Sequence, residues 1–182
     1  ATLRRAGISI TGGETVAYLH KNGRKIAIAG FSYKASPCAY SILEIPAAKE
    51  IIADLKKSHD IVIVSFHGGA EGKHALHLPK GDETFLEENR GNVTRFARAV
   101  VDAGADMVIG HGPHVLRAME VYKGKLIAYS LGNFLTYALF NLKSPNSLSV
   151  ILKARIDGAT GNFLDGRLVP VRLINGGIPE ID

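Results

Sequence analysis

The chain has 182 residues, enough for one domain with a substantial core and short for two. Hydrophobic residues make up 46% and charged residues 21%, which excludes a disordered or fibrous chain, and 22 Lys and Arg against 17 Asp and Glu give a net charge of +5. The basic residues are scattered, in nothing longer than Arg4-Arg5, Arg24-Lys25 and Lys56-Lys57, which argues against a nucleic-acid partner and is compatible with an anionic ligand.

No apolar run reaches the length of a membrane span, and the first residues lack the long apolar stretch of a signal peptide. Residues 2–7 read as the tail of a helix stopped by Gly7, followed by a short strand at 8–10. Residues 15–20 and 24–31 are β-type runs around Lys21-Asn22-Gly23, and Asn-Gly between two such runs predicts a hairpin. Cys38 has no partner for a disulfide or a thiolate metal site and reads as a small apolar core residue.

Pro46 opens a helix whose apolar positions are Ala47, Ala48, Ile51, Ile52 and Leu55. The run 60–66 (DIVIVSF) is a strand buried on both faces and ends at His67-Gly68-Gly69-Ala70-Glu71. Residues 72–90 lack sustained periodicity and read as a long loop with a turn of helix, of the kind that often carries function. Asn92 caps a helix with the stripe Val93, Phe96, Ala97, Val100 and Val101, an Arg98–Asp102 pair, and Gly104 as its stop.

Residues 106–110 form a second buried strand, so two β-helix-β units deliver His67 and His111 to the C-terminal edge of a parallel sheet, where α/β proteins bind ligands. Beyond Val115 the pattern turns antiparallel: 118–122 and 126–130 make a hairpin around Lys123-Gly124-Lys125, and 148–156 and 167–174 are further strands. Residues 175–179 read as a turn.

The chemistry concentrates around residues 106–134. His111 and His114, three apart on a Gly-Pro turn, can converge on one metal ion, and His67 at a neighbouring strand end strengthens that reading. Glu71 could ligate or orient a metal-bound water, or accept its proton, or be a solvated loop carboxylate. His74 and His77, in the long loop, read as exposed residues or as contacts to substrate or metal. Gly68 and Gly69 either offer backbone N–H donors to an anion or simply permit tight turns. Asn133 could hold a ligand or satisfy neighbouring backbone, and Arg90 and Arg117 could grip a carboxylate or phosphate or be ordinary surface cations.

Four motifs in order, His67-Gly68-Gly69-Ala70-Glu71, Asp102-Ala103-Gly104-Ala105-Asp106, Gly110-His111-Gly112-Pro113-His114-Val115 and Tyr129-Ser130-Leu131-Gly132-Asn133-Phe134, resemble the CapA-type poly-γ-glutamate capsule-synthesis proteins. That family is similar in fold to the calcineurin-like metallophosphatases, and the resemblance covers essentially the whole chain. It implies an α/β fold, the C-terminal portion of a metallophosphatase-like αββα sandwich, with a mixed sheet of β-α-β units followed by antiparallel strands. It further implies a divalent-metal site for Mn, Fe or Zn with His67, His111 and His114 as ligands, and metal-assisted hydrolysis of a phosphoester or related bond. The implied partners are an anionic polymer or phosphoester and other capsule-synthesis proteins, and the implied location is extracytoplasmic or membrane-associated in bacteria.

The family's opening Gly-Asp strand and its Asn-Asn-His segment have no counterpart here. The expectation is therefore one N-terminally truncated domain over residues 1–182 that holds half a site, is inactive alone, and self-associates through an uncovered sheet edge. The rival reading is a non-catalytic module that holds a polyanion during assembly or export of a cell-surface polymer.

Overall fold

A computed structural model describes residues 2–12, 15–34, 39–137 and 141–182, so the expectation for Cys38 lies outside the described residues. The chain opens with helix α1 (Thr2–Arg5), and Gly7 follows it in the left-handed region. Residues 8–10 form no strand, contrary to expectation. The Ile8 N–H turns back to the Leu3 carbonyl, and an apolar run without a ladder partner stays irregular.

The expected hairpin is present as β1 (Ala17–Lys21) and β2 (Arg24–Ser32), with Asn22 and Gly23 both at positive φ as a tight turn requires. A two-residue strand, β3 (Tyr40–Ser41), pairs with the end of β2 and leads into helix α2 (Ile45–Lys56), which buries Ala48 and Ile52. Strand β4 (Ile61–His67) follows.

The long loop is more ordered than its sequence suggests. It holds a 3-10 turn at Lys73–Ala75 and a small hairpin, β5 (Glu83–Phe85) with β6 (Glu88–Gly91). The hairpin turns on Leu86 and Glu87 at positive φ, a conformation that those residue types do not advertise.

Helix α3 (Val93–Asp102) is capped as expected, with Asn92 Oδ1 accepting from the Arg95 N–H at 2.9 Å. The predicted Arg98–Asp102 pair does not form. Arg98 reaches instead to Glu120 with two hydrogen bonds of 2.8 and 3.0 Å, and Asp102 takes Lys123 at 2.6 Å. A planar guanidinium satisfies a carboxylate better in this two-pronged geometry than across one helical turn.

Strand β7 (Met107–His111) enters next, then the hairpin β8 (Met119–Tyr122) and β9 (Lys125–Ala128). These strands build one mixed sheet in the order β1-β2-β4-β7-β9-β8, with β2, β4, β7 and β9 parallel and the outer strands antiparallel. One face is the core: Val62, Val64 and Phe66 of β4, Val108 of β7 and Ile127 of β9 meet Ala48, Ile52, Phe96, Ala97 and Val100 of the two helices.

A second sheet of β10 (Leu148–Ile156), β11 (Phe163–Ile174) and β12 (Ile178–Ile181) is tied on where Gly132 bridges to Ser149 and where the Phe163 N–H donates to Gly124 O. Residues 178–179, expected as turn, belong to β12; the turn itself is Asn175-Gly176-Gly177. Pro179 is tolerated because β12 is an edge strand, where a missing N–H costs little. No helix among the described residues is long and apolar enough to cross a membrane.

Candidate metal-binding site and groove at the sheet edge

Parallel pairing of β4 with β7 sets His67 directly beside His111, and β2 sets Ser32 beside His67. Register therefore brings the two strand-end histidines to one edge. They line an open groove of about 640 Å³ together with Thr11, Gly30, Ser32, Tyr33 and Lys34. Gly112 makes the close approach possible: at φ +118, a Cβ there would come within 2.9 Å of Gly68 O and 3.2 Å of the His67 ring.

Burial pushes His67 below the ordinary histidine value, with the nearby His114 and Arg90 adding to the effect. His111 is the more solvent-exposed of the pair by surface area, yet the protein mass around its ring and the neighbouring His67 push it down as well. Both rings are held toward the neutral form, the one that can donate a lone pair to a metal.

His114 sits at φ +58 and is fixed by Asn133. Asn133 Nδ2 donates to the carbonyls of Asn146 at 3.0 Å and of His114 at 3.3 Å, so its Oδ1 is the atom facing His114 Nδ1 at 2.7 Å. That contact requires a proton on Nδ1, and Nε2 lies 3.7 Å from Glu71 Oε2.

Glu71 is anchored in turn by Arg90, whose Nη1 donates to Oε1 at 2.8 Å. The Arg90 guanidinium lies 4.0 Å over the ring of Tyr33, with Phe85 at 5.3 Å, and Tyr33 packs 5.9 Å from the His67 ring. Arg90 is buried, and its Nε finds no hydrogen-bond partner among the described residues. It backs the site rather than lining it.

For Arg117, Gly68, Gly69 and Asn133 the observed contacts favour a role inside the chain over direct ligand contact. Arg117 is buried and spends its guanidinium inside the chain, on both Glu83 oxygens and on the carbonyls of Ala70 and Ala75, so it is not placed to grip a ligand. The N–H groups of Gly68 and Gly69 donate to His111 O at 2.9 Å and to Arg90 O at 2.8 Å, and so are not offered to an anion. Those positions are glycine because a Cβ would strike Ile42 at 2.4 Å and Arg117 at 2.8 Å. Asn133 serves its own neighbourhood rather than a ligand directly.

Among the described residues no three His, Cys, Asp or Glu side chains close into a group that could hold a metal ion. His67 and His111, held toward the neutral form at one edge, fit such an ion as nitrogen donors, and the rest of a coordination shell would be supplied by other groups.

Sequence reasoning missed Tyr33, Glu83 and Asp106. Tyr33 follows the end of β2, the third parallel strand at this edge, which was the available signal. Asp106 lies within a quoted motif and is structural: 1% exposed, it accepts from Lys56 at 2.6 Å, Lys125 at 2.9 Å and the Val62 N–H at 2.8 Å.

The model of the bacterial capsule synthesis protein family PGA_cap matches residues 1–138. The PGA biosynthesis protein CapA of Bacillus subtilis is 36% identical over 140 residues, covering 71% of this chain and 33% of that protein. The capsule biosynthesis protein CapA of Bacillus anthracis is 32% identical over 141 residues, covering 71% and 31%. A probable polyglutamine synthesis accessory protein of Mycobacterium tuberculosis is 33% identical over 129 residues, covering 69% and 30%. The chain thus spans about a third of the length of these relatives.

Among solved structures, a novel phosphatase from Mycoplasma pneumoniae superposes with a TM-score of 0.55 at 18% identity over 92% of this chain and 58% of that one. A hypothetical protein from Thermus thermophilus gives the same TM-score of 0.55 at 13% identity, over 92% and 78%. Likeness at that identity shows a shared fold and nothing finer.

Proposed function

From the premise that this chain belongs to the bacterial capsule synthesis protein family PGA_cap, we propose that it forms part of a metal-dependent hydrolase site acting on a phosphoester or related bond in the making of an anionic cell-surface polymer. The observation that carries this reading is the convergence at one sheet edge of His67 and His111, both held toward neutrality, beside a His114 whose tautomer is set by Asn133.

His67, His111 and His114 are the nitrogen donors this chain would give to a divalent ion, Mn, Fe or Zn by ligand type. The chemistry such an ion supplies is a water made acidic enough to attack at neutral pH and a counter-charge for a phosphoryl oxygen. Asn133 orients the His114 ring. Arg90 holds Glu71 within 3.7 Å of His114, where its carboxylate can orient a water or take up a proton from one. Tyr33 packs beside His67.

The test is metal content and hydrolysis of bis(p-nitrophenyl) phosphate by the whole protein. Bound Mn, Fe or Zn and measurable turnover are expected, with both reduced by His67→Ala at least about a hundredfold. A whole protein that binds neither metal nor phosphodiester but still retains an anionic polymer would replace this reading with the non-catalytic, polyanion-holding one.

A further inference from the structure

A second cavity of about 550 Å³ is bordered by His114. Glu71 and His114 form its inner wall and Phe85 an apolar side; Lys73 and His74 enter from the 3-10 turn, and Lys143 from the loop at 141–146. The two flanks of the site differ in charge. On the His67 side the groove's lysine, Lys34, is paired with Glu88 at 2.9 Å. On the His114 side neither Lys73 nor Lys143 enters an ion pair among the described residues, and the cavity's carboxylate, Glu71, is already neutralised by Arg90.

An excess of positive charge in a concave site next to the candidate metal donors attracts oxyanions and strengthens their binding as water is displaced. We propose that this cavity is a subsite for a carboxylate or phosphate group carried on the substrate chain, gripped by Lys73 and Lys143. Phe85 packs against the chain's apolar stem. The subsite gives the groove a direction: the bond to be cut lies at His67 and His111, and the anionic continuation of the substrate runs past His114 toward Lys143. The volume suits a ligand of a few residues. This inference rests on the hydrolase reading for its direction, but not for the binding itself.

The experiment is anisotropy titration of the whole protein with fluorescein-labelled pentaglutamate, and displacement of that label by tripolyphosphate, for wild type and for the double variant Lys73→Gln, Lys143→Gln. The double variant should bind about tenfold more weakly, with a shallower salt dependence. A control pair far from the cavity, Lys21→Gln with Lys153→Gln, should change affinity little. Weakening for pentaglutamate assigns a carboxylate chain, and weakening for tripolyphosphate alone assigns a phosphate. Equal binding by wild type and the folded double variant, or equal weakening in the control pair, overturns the subsite. His67→Ala separates the two ideas: it should abolish hydrolysis of bis(p-nitrophenyl) phosphate, and adding Lys73→Gln and Lys143→Gln to it should still weaken pentaglutamate binding about tenfold. If wild type shows no hydrolysis while the lysine variant still loses affinity, the subsite stands and the hydrolase reading falls.

Discussion

Single side chains around the site do two kinds of work, and Asn133 shows the difference. Its amide is fully engaged, two donors on backbone carbonyls and one acceptor on His114. Such an outer partner fixes ring orientation and tautomer, and losing one typically costs ten- to a hundredfold in metal affinity. Asn133→Ala should therefore weaken Mn or Zn binding by about that factor in a titration, whereas Asn133→Asp, which keeps an acceptor for His114 Nδ1, should weaken it less. Equal affinities in wild type and Asn133→Ala would reduce Asn133 to a backbone tie. The same scale explains which site residues the sequence displays. His67 and His111 are legible because each ends a strand whose apolar run is unmistakable. Arg117 and Arg90 were not, because nothing in a linear sequence distinguishes an arginine buried on Glu83 from one facing solvent. Their partners lie 34 and 19 residues away and meet them only when the small β5–β6 hairpin folds over the loop after β4.

Between elements, helix α3 is fastened to the β8–β9 hairpin by a polar cluster. Glu120 of β8 receives both prongs of Arg98, and the buried Tyr129, just after β9, donates to it at 2.6 Å. Hydrogen bonds from Arg98 first, and from Tyr129, hold the Glu120 carboxyl below its ordinary value of 4.5. A group whose pKa is lowered on folding adds stability above its unfolded value and loses it as pH falls through the folded one. Glu120→Gln should lower stability by roughly 1 kcal/mol at neutral pH, read as a lower urea midpoint. The gap between wild type and variant should close as the pH drops below the ordinary carboxylate range. A gap independent of pH would mean that packing, not charge, joins the elements. Here too the limits of the sequence are physical. Periodicity and caps revealed α2, α3, β4 and β7, and Asn-Gly revealed the first hairpin. The β5–β6 hairpin was invisible because Leu86 and Glu87, both exposed, occupy a turn that usually asks for Asn or Gly.

At the scale of the whole molecule, the sheet buries one face against two helices and leaves the other unevenly covered. Val62, Val64 and Phe66 of β4 are essentially inaccessible, whereas Ile63 and Ser65, pointing the opposite way, are half-buried, as are Ile26 and Ile28 of β2 and Ile109 of β7. Strand β1 ends the sheet on that side with Tyr18 55% and Leu19 44% exposed. An edge strand with exposed apolar side chains and unpaired backbone groups is a template for pairing with a second copy. The 182-residue chain should accordingly show concentration-dependent association by light scattering, and Leu19→Lys, which places a charge on the edge without touching the core, should shift it toward monomer. A single monomeric mass for the wild-type chain from micromolar to high concentration would show that the lysine and histidine already on β1, Lys21 and His20, suffice to blunt the edge. Equal association by wild type and Leu19→Lys would move the contact elsewhere, to the exposed Phe134, Leu135 and Tyr137 that follow Asn133. That outcome would bear on the site directly, because a partner seated on those residues would press on the amide that holds His114 in place.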